Sequence, residues 1–511
     1  MAIFFEESNR LVLPNWRSFS NTAKIGELNG SKKLLIEKSF NPDISDLIDD
    51  WADNQTIGMA GDLMGVAVVC NKEEDENVID AAKFIKSKAD SVTQELVSTA
   101  DLILNRSKII EKPILDANSI DAFQERANLY FVYQKISELK SKLKTNPKNS
   151  ILWTEIARFY SIIGQNKKAE RAIKNALHLS PQNRFVLRSM ARFFTHVGDV
   201  GYAHDIIRKL PITNSDPWVM ATEISLAMKR GRQSRFAKKG LNMVSSDNFH
   251  PFNIAELNSS LGTLEYESSW KKSRKLFENS LKKPNDNVLA QAEWMSHKEG
   301  KISKVNPDDF DVENSFEADA RNSSENGKWQ DAIDYAKLWF LDMPFSRGAI
   351  LFGSQIAAYN MDDHDEAAYL YKAGLTSHPQ DPQMINNLVY SLCLRNRIEE
   401  AEQFLEKYPA FDQTDVNNQI CITATKGILN FRKGFLEKGR ELYFQAIEKA
   451  SSIKNIELTN LAFVNYLREE YLSGSTVEAE LVEKLKAVEK TSKNSTTQKI
   501  IREINELKAK V

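Results

Sequence analysis

The chain has 511 residues, and its 68 Lys+Arg residues nearly balance its 70 Asp+Glu residues, leaving a formal net charge of −2. This length exceeds one ordinary domain, and 42% hydrophobic with 27% charged residues is typical of a folded chain rather than a disordered one. The near-neutral charge argues against a protein devoted to coating nucleic acid or anionic membrane. The 14 Pro and 20 Gly residues are too few for a turn-rich β-sandwich.

The first 148 residues contain no repeat. Residues 11–19 include Pro14 and predict an extended, aromatic segment, because the residue before a proline avoids the helical region. Apolar residues at helical spacing predict helices near 78–88, 91–105 and 119–145. We therefore expect an extended arm at 1–40, with room for a short β segment, and a helical region at 41–148.

A regular pattern begins at Ser150. Counted from this residue, apolar, small and turn residues stand at offsets 4, 7, 8, 11, 15, 20, 24, 27 and 32, as Trp153, Ile156, Ala157, Tyr160, Gly164, Ala169, Ile173, Ala176 and Pro181. The spacing predicts two amphipathic helices that meet at their alanines, with a glycine turn between them and a proline that ends the second. This window resembles a tetratricopeptide repeat.

Related patterns continue to about residue 470. Their estimated starts are 150, 184, 217, 254, 313, 348, 382 and 420, and the resemblance covers about 320 of the 511 residues. It implies an all-α protein, an α-solenoid in which helical hairpins stack into a right-handed superhelix with a concave inner surface.

The repeats divide into two arrays. The 59 residues between the starts at 254 and 313 hold a lone helical pattern and an acidic loop, and they predict a seam. We expect the first array at 149–302 and the second at 303–475. Two further amphipathic patterns with charged outer faces predict capping helices over 476–511.

Sequence motifs for chemistry are missing. The chain has no P-loop, HExxH, GxSxG or GxGxxG motif and no paired Cys/His spacing, so we expect no enzyme, no cofactor and no metal. The acidic run at 362–366 is interpreted as a turn whose Asp caps the next helix. The three cysteines, Cys70, Cys393 and Cys421, include no CxxC pair, and the first residues lack a signal-peptide pattern. These features favour a cytoplasmic protein that uses no membrane.

The resemblance implies that the first helix of each repeat lines the concave surface. In the first array this predicts a basic groove that contains Arg158, Phe185, Arg188 and Arg192. Guanidinium groups suit an acidic peptide, a carboxylate or a phosphate. The alternative is local pairing with residues such as Glu155.

In the second array the same rule predicts an aromatic groove. Its residues are Phe352, Ile356, Tyr359, Asn386, Tyr390, Phe431, Phe463 and Tyr466. Such a surface suits an amphipathic helix or an extended peptide. The alternatives are that these residues belong to the core, or that the C-terminal helices fill the groove.

A local basic run offers a third surface. It comprises Lys229, Arg230, Arg232, Arg235, Lys238 and Lys239. These residues are either contacts for nucleic-acid phosphates or a solvated face. Taken together, the patterns favour a scaffold or adaptor that binds one or more proteins through a peptide or helix in the concave groove. The alternatives are a regulatory sensor whose superhelix responds to a peptide or small ligand, and a nucleic-acid-binding repeat protein.

Overall fold

The computed structural model of the chain describes residues 10–19, 44–69, 72–105, 129–246, 248–299, 304–409 and 414–509. Within these ranges the regular structure is helical, and no strand occurs. The chain divides into two compact units. The N-terminal unit consists of the described residues of Glu7–Lys328 and Lys337–Phe345, and the C-terminal unit of those of Trp329–Ala336 and Ser346–Val511.

Before the repeats, the described residues of the N-terminal unit form five helices: α1 (Ser45–Asp53), α2 (Ile57–Val69), α3 (Glu76–Ser87), α4 (Gln94–Asn105) and α5 (Leu129–Thr145). The first four enclose their own apolar core, in which Trp51 and Leu63 are almost fully buried. The Trp51 ring meets Phe84 edge-on at 5.3 Å. Helix α5 packs against the first helix of the repeats, so the helical region and the array are continuous.

The repeat helices of the N-terminal unit are α6 (Ser150–Ile162), α7 (Asn166–Leu179), α8 (Arg184–His196), α9 (Val200–Ile207), α10 (Pro217–Lys229), α11 (Ala237–Val244), α12 (Pro251–Glu265), α13 (Trp270–Ser280), α14 (Asp286–Glu299) and α15 (Phe316–Glu325). Helix α16 (Trp329–Asp342) is divided between the two units.

The C-terminal unit continues with α17 (Arg347–Gln355), α18 (His364–Ser377), α19 (Pro382–Leu394), α20 (Ile398–Leu405), α21 (Val416–Arg432), α22 (Leu436–Ser452), α23 (Ile456–Leu472), α24 (Ala479–Thr491) and α25 (Ser495–Lys508). A π-helical turn, Ile356–Asn360, extends α17 and changes its register, because a π turn holds more residues than an α turn. Helix α25 packs on α23.

The predicted repeat spacing is accurate. The first helices of the eight repeats begin at Ser150, Arg184, Pro217, Pro251, Phe316, Arg347, Pro382 and Val416. Each start lies within four residues of its predicted position. Together with the packing of successive hairpins, this agreement confirms the expected all-α solenoid.

The turn inside most hairpins contains a left-handed residue. Gly164 and Gly198 take φ values of 67° and 84° there. In repeats without a glycine at this place, Asp362 and Asn396 adopt φ values of 59° and 56°. Asp and Asn are the side chains that tolerate this conformation best, so the repeat geometry is retained without glycine.

No helix in the described ranges combines the length and apolarity needed to cross a membrane.

Candidate functional site

A short segment near the start of the chain lies buried in the N-terminal unit. Residues 10–19, hereafter the N-terminal segment, are almost entirely non-helical. Trp16 and Val12 are completely buried, while only 5% of Arg10 and 8% of Arg17 is exposed. Arginines at this depth need hydrogen-bonding partners of opposite charge, because an unpaired buried charge is very costly.

Arg10 is bound by helices α14 and α15. Its Nε and Nη2 atoms donate to the two carboxylate oxygens of Glu317 at 2.7 and 2.9 Å. Nη1 donates to the amide oxygen of Gln291 at 2.8 Å, and Nη2 donates to Oδ1 of Asn287 at 3.2 Å. Arg321 also donates to Glu317, at 3.1 Å. Arg10 thus has the two-point geometry in which a guanidinium recognises a carboxylate most strongly.

Arg17 is bound seven residues further along by two aspartates. Its Nε donates to both carboxylate oxygens of Asp342 at 2.8 Å. Its Nη2 donates to Oδ2 of Asp342 and to Oδ2 of Asp286, each at 2.5 Å. The amide of Asn15 donates to the same Asp286 oxygen at 2.7 Å. Asp342, the last residue of α16, and Asp286, the first residue of α14, therefore both bind the guanidinium group of Arg17.

The ion pairs shift the pKa values of Arg17 and Glu317. Burial alone would lower the pKa of Arg17, but the carboxylates of Asp286 and Asp342 outweigh it and raise that pKa. Burial would raise the pKa of Glu317, but Arg10 and Arg321 outweigh it and lower that pKa to about 2. In both groups, pairing with charges of opposite sign therefore outweighs the effect of burial.

The surrounding helices also bind the main chain of the segment, at every third residue. Gln291 donates to the carbonyl oxygen of Arg10 at 3.0 Å, and Asn287 donates to that of Leu13 at 2.9 Å. Arg158 donates to the carbonyl oxygen of Trp16 at 3.2 Å. The amide of Phe19 donates to Glu155 at 2.7 Å. Because these contacts involve peptide groups, they fix the path of the segment whatever its side chains are.

Two aromatic side chains anchor the second half of the segment. The Trp16 ring lies 5.4 Å from the ring of Phe345 and 6.3 Å, edge-on, from that of Phe193. The Phe19 ring meets Phe185 edge-on at 5.2 Å. Tilted and edge-on pairs are the favourable arrangements for such rings. We call the surface that contacts the segment, formed by α6, α8, α14, α15, α16 and Phe345, the inner groove.

Two of the four residues predicted to form a basic groove contact the segment. Arg158 binds the Trp16 carbonyl, and Phe185 packs on Phe19. Arg192 lies with its guanidinium 6.0 Å from the ring centroid of Phe345, beside the Trp16 site. Whether these side chains contact a partner stays a prediction.

Arg188, the fourth of these residues, has a different environment. It forms a two-point ion pair with Glu256 of α12, at 2.7 and 3.1 Å. Its guanidinium also stacks on Trp218, with 4.6 Å between the Cζ atom and the ring centroid. Only 6% of Arg188 is exposed, so its charge is matched inside the array.

The sequence did not predict acidic and amide residues in the inner groove, and it named Glu155 only as a local partner for the arginines. The acidic and amide residues of the groove are Glu155, Asp286, Asn287, Gln291, Glu317 and Asp342. Helix α14 lies in the predicted seam, where the sequence predicted no repeat and therefore no groove residues. In a repeat that began at α14, Asn287 would take the second position of the first helix, which Phe185 occupies in α8.

Most residues of the predicted aromatic groove are buried within the C-terminal unit. Ile356, Asn386, Tyr390, Phe431, Phe463 and Tyr466 are buried, and Phe352 and Tyr359 are half-buried. The Tyr390 hydroxyl donates to Oδ1 of Asn465 at 3.0 Å, and the Phe463 ring lies 4.6 Å from Nζ of Lys484 in α24. Their contacts are with the chain itself, and their role toward a partner stays a prediction.

A pocket of about 210 Å³ lies in the same unit, beside Tyr359 and Tyr390. Its four cationic residues each have a carboxylate partner within 3.5 Å, in the pairs Arg395–Asp365, Arg432–Glu469, Arg468–Glu503 and Lys499–Asp362. Burial lowers the pKa of His364 in its wall to about 4. Lys499 and Glu503 belong to α25, so this helix forms part of the pocket wall. The four cationic residues of the pocket are paired with carboxylates of the same unit.

Half of the predicted basic run is engaged by the neighbouring repeat. Arg230 donates to Asp205 at 2.9 Å, Lys239 donates to Asn214 at 3.1 Å, and Arg235 donates to the carbonyl oxygen of Arg208. Lys229, Arg232 and Lys238 are exposed. A phosphate contact by this run stays a prediction. Among the described residues, no three His, Cys, Asp or Glu side chains are grouped so that they could hold a metal ion.

Comparison with solved structures finds distant similarity. A hetero-tetramer of the APC/C, Cut9-Hcn1, aligns with 10% identity over 90% of this chain and 92% of its own, with a TM-score of 0.44. Yeast Tom70 aligns with 14% identity over 76% and 95% of the two chains, with a TM-score of 0.27. Naa15/Naa10 bound to HypK-THB aligns with 12% identity over 90% and 85%, with a TM-score of 0.26.

Comparison of the sequence identifies the repeat type. No curated protein matches the chain significantly. A family model described as tetratricopeptide repeat matches residues 358–418, which span the end of the π-helical turn after α17, helices α18 to α20 and the start of α21. The expected resemblance to tetratricopeptide repeats is thereby confirmed over these residues.

Proposed function

We propose that the chain is a non-catalytic interaction scaffold whose N-terminal unit binds a peptide segment of a partner in the inner groove. One observation carries the proposal. The groove already holds ten residues of the chain itself, through the same kinds of contact that hold a peptide ligand.

The contacts divide into two kinds with different roles. Side chains of Gln291, Asn287, Arg158 and Glu155 bind main-chain groups at intervals of three residues. Main-chain contacts of this kind supply affinity for a non-helical segment, while pockets for individual side chains supply specificity. The sites of Arg10, Trp16 and Arg17 are such pockets. An aromatic and an arginine that are fully enclosed are also the side chains that most often dominate binding energy.

Binding in trans tests this function. In the full-length chain, Arg10→Ala, Trp16→Ala and Arg17→Ala together remove the three anchoring side chains; we call this variant the emptied chain. A synthetic peptide with the sequence of residues 10–19, acetylated and amidated to remove its terminal charges, is then titrated calorimetrically. We expect saturable binding with one site per emptied chain.

The unmodified chain is the matched control. It should bind the same peptide far more weakly, because its own segment competes at an effective concentration of about a millimolar. An emptied chain that keeps its circular dichroism and melting transition but binds no peptide would contradict the proposed function.

A further inference from the structure

We infer that the partner segment bound by the inner groove is arginine-bearing, with two guanidinium groups seven residues apart and an aromatic side chain directly before the second. Residues 10–19 are its resident competitor. This inference rests on the proposed function and adds the chemistry of the partner. It reverses the charge expected from the arginines of the first array alone.

Charge complementarity is the first argument. Three groove carboxylates, Asp286, Glu317 and Asp342, are nearly buried, with side-chain exposures of 13%, 14% and 11%. Arg321 of the groove neutralises one charge at Glu317, from 3.1 Å. Glu317 also pairs with Arg10 of the segment, whereas Asp286 and Asp342 share Arg17, with Arg158 of the groove as a further positive charge near Asp342. Without the segment, Glu317 therefore keeps one of its two cationic partners, while Asp286 and Asp342 both lose the guanidinium that pairs with them.

The second argument concerns the replacement of the N-terminal segment by a partner segment. An emptied groove would leave Asp286 and Asp342 without the guanidinium of Arg17 in a partly dehydrated cleft, which is unfavourable. Departure of the segment is therefore coupled to the arrival of a replacement with the same charges. An acidic segment would be repelled by these carboxylates, and an apolar segment would leave them without a positive partner.

Geometry makes arginine the required cation. Glu317 and Asp342 each receive two hydrogen bonds from one guanidinium. The planar fork of arginine fits two carboxylate oxygens at once, whereas the ammonium group of lysine acts as a single point charge. The groove should therefore distinguish arginine from lysine at both positions.

The site before the second arginine recognises a ring. Trp16 is completely buried between Phe193 and Phe345. Its indole Nε1 has no hydrogen-bond acceptor among the described residues. Recognition therefore depends on the aromatic face and edge, and phenylalanine should replace tryptophan with a smaller loss than alanine.

A peptide series on the emptied chain tests the inference by fluorescence anisotropy. Replacing both arginines by glutamate should weaken binding at least about 100-fold, because loss of one buried charge pair typically costs 30-fold or more. The double lysine peptide should bind about tenfold more weakly than the native sequence. The Trp16→Phe peptide should bind more tightly than the Trp16→Ala peptide.

The outcomes separate this inference from the proposed function. If the native, glutamate and lysine peptides bind within about threefold of one another, the groove still binds peptides and only the inferred chemistry is overturned. If no peptide binds to the folded emptied chain, the proposed function itself is contradicted. A native chain that dimerises and is dissociated by the native peptide would assign the groove to the segment of a second copy, and would overturn the inference of a separate partner.

A second readout applies if the emptied chain does not fold alone. It is then refolded from urea in the presence of each peptide, and the yield of monomeric folded chain is measured. The native peptide should restore folding and the double glutamate peptide should not. Equal yields with both peptides would overturn the inference.

Discussion

Arg17 and Asp342 are separated by 325 residues, yet the guanidinium of one donates to both carboxylate oxygens of the other. The pair joins the N-terminal segment to the end of α16, inside the N-terminal unit. Both side chains are about nine-tenths buried, at 9% and 11% exposure. An ion pair of this kind fixes the position of the N-terminal segment in the inner groove.

The first prediction concerns this ion pair. Asp342→Asn should lower the free energy of unfolding by about 3 kcal/mol, because it leaves a buried guanidinium short of one countercharge. Glu278→Gln is the matched control, since Glu278 forms only an exposed pair with Arg274 in α13, and it should cost less than about 0.5 kcal/mol. Urea denaturation measures both. Equal small effects would mean that the buried pair is not formed.

The second prediction concerns Arg188, which the sequence alone presents as a surface residue of a groove. Arg188→Ala should destabilise the fold by about 3 kcal/mol, because it leaves the buried carboxylate of Glu256 without its two-point partner. Lys229→Ala, at an exposed position, should change stability by less than about 0.5 kcal/mol. A folded, fully stable Arg188→Ala variant would contradict the structural role of this residue.

The third prediction is a pH dependence set by Glu293. Burial raises the pKa of this carboxyl to about 8, against the opposing charge of Arg321. Between pH 4.5 and 8 the native state holds a proton that the unfolded state has released, so this group makes unfolding easier as the pH rises. Glu293→Gln removes the effect. The variant should therefore gain stability over the unmodified chain from pH 5.5 to pH 8, by up to about 1.4 kcal/mol per pH unit.

Urea unfolding at several pH values measures this gain. Glu278→Gln serves again as the exposed control and should show no such trend. If Glu293→Gln and the unmodified chain keep the same stability difference at pH 5.5 and pH 8, the carboxyl is not protonated in the folded state.

The fourth prediction contrasts two helical glycines. At Gly439 in α22, an added Cβ would lie 2.5 Å from the Phe431 ring and 3.2 Å from the carbonyl oxygen of Gly427. Gly439→Ala should cost about 1–3 kcal/mol through overpacking. At Gly65 in α2 nothing lies within 4 Å of an added Cβ, so Gly65→Ala should stabilise by about 0.5–1 kcal/mol. Thermal melting measures whether each variant is stabilised or destabilised. A change in melting temperature in the same direction for both variants would contradict the packing described for these two glycines.

The repeats could be predicted from sequence because their signals are local. Ala157, Gly164, Ala169 and Pro181 recur at helical and turn spacings within one hairpin, and each hairpin contacts mainly its neighbours. The start of every repeat could therefore be placed within four residues. The seam also contained a correctly placed helix, α14.

The occupant of the inner groove could not be predicted in the same way. Its contacts join residues about 140 to 325 positions apart, such as Trp16 with Arg158 and Arg17 with Asp342, and leave no periodic pattern. The acidic character of the inner groove could not be predicted from the sequence either. Arg188 is neutralised by Glu256 of another repeat, while Asp286, Glu317 and Asp342 come from helices for which the sequence predicted no groove residues.

A cross-link between the segment and the groove tests the central claim most directly. Ser18 donates to Glu155 at 2.9 Å, so Ser18→Cys and Glu155→Cys together place two thiols within reach of a short bismaleimide. We predict rapid cross-linking in the native full-length chain, with the product migrating as a monomer and with each single variant unlinked. A monomeric chain in which these two positions do not cross-link, or a product found only as a dimer, would contradict the conclusion that the chain fills its own groove.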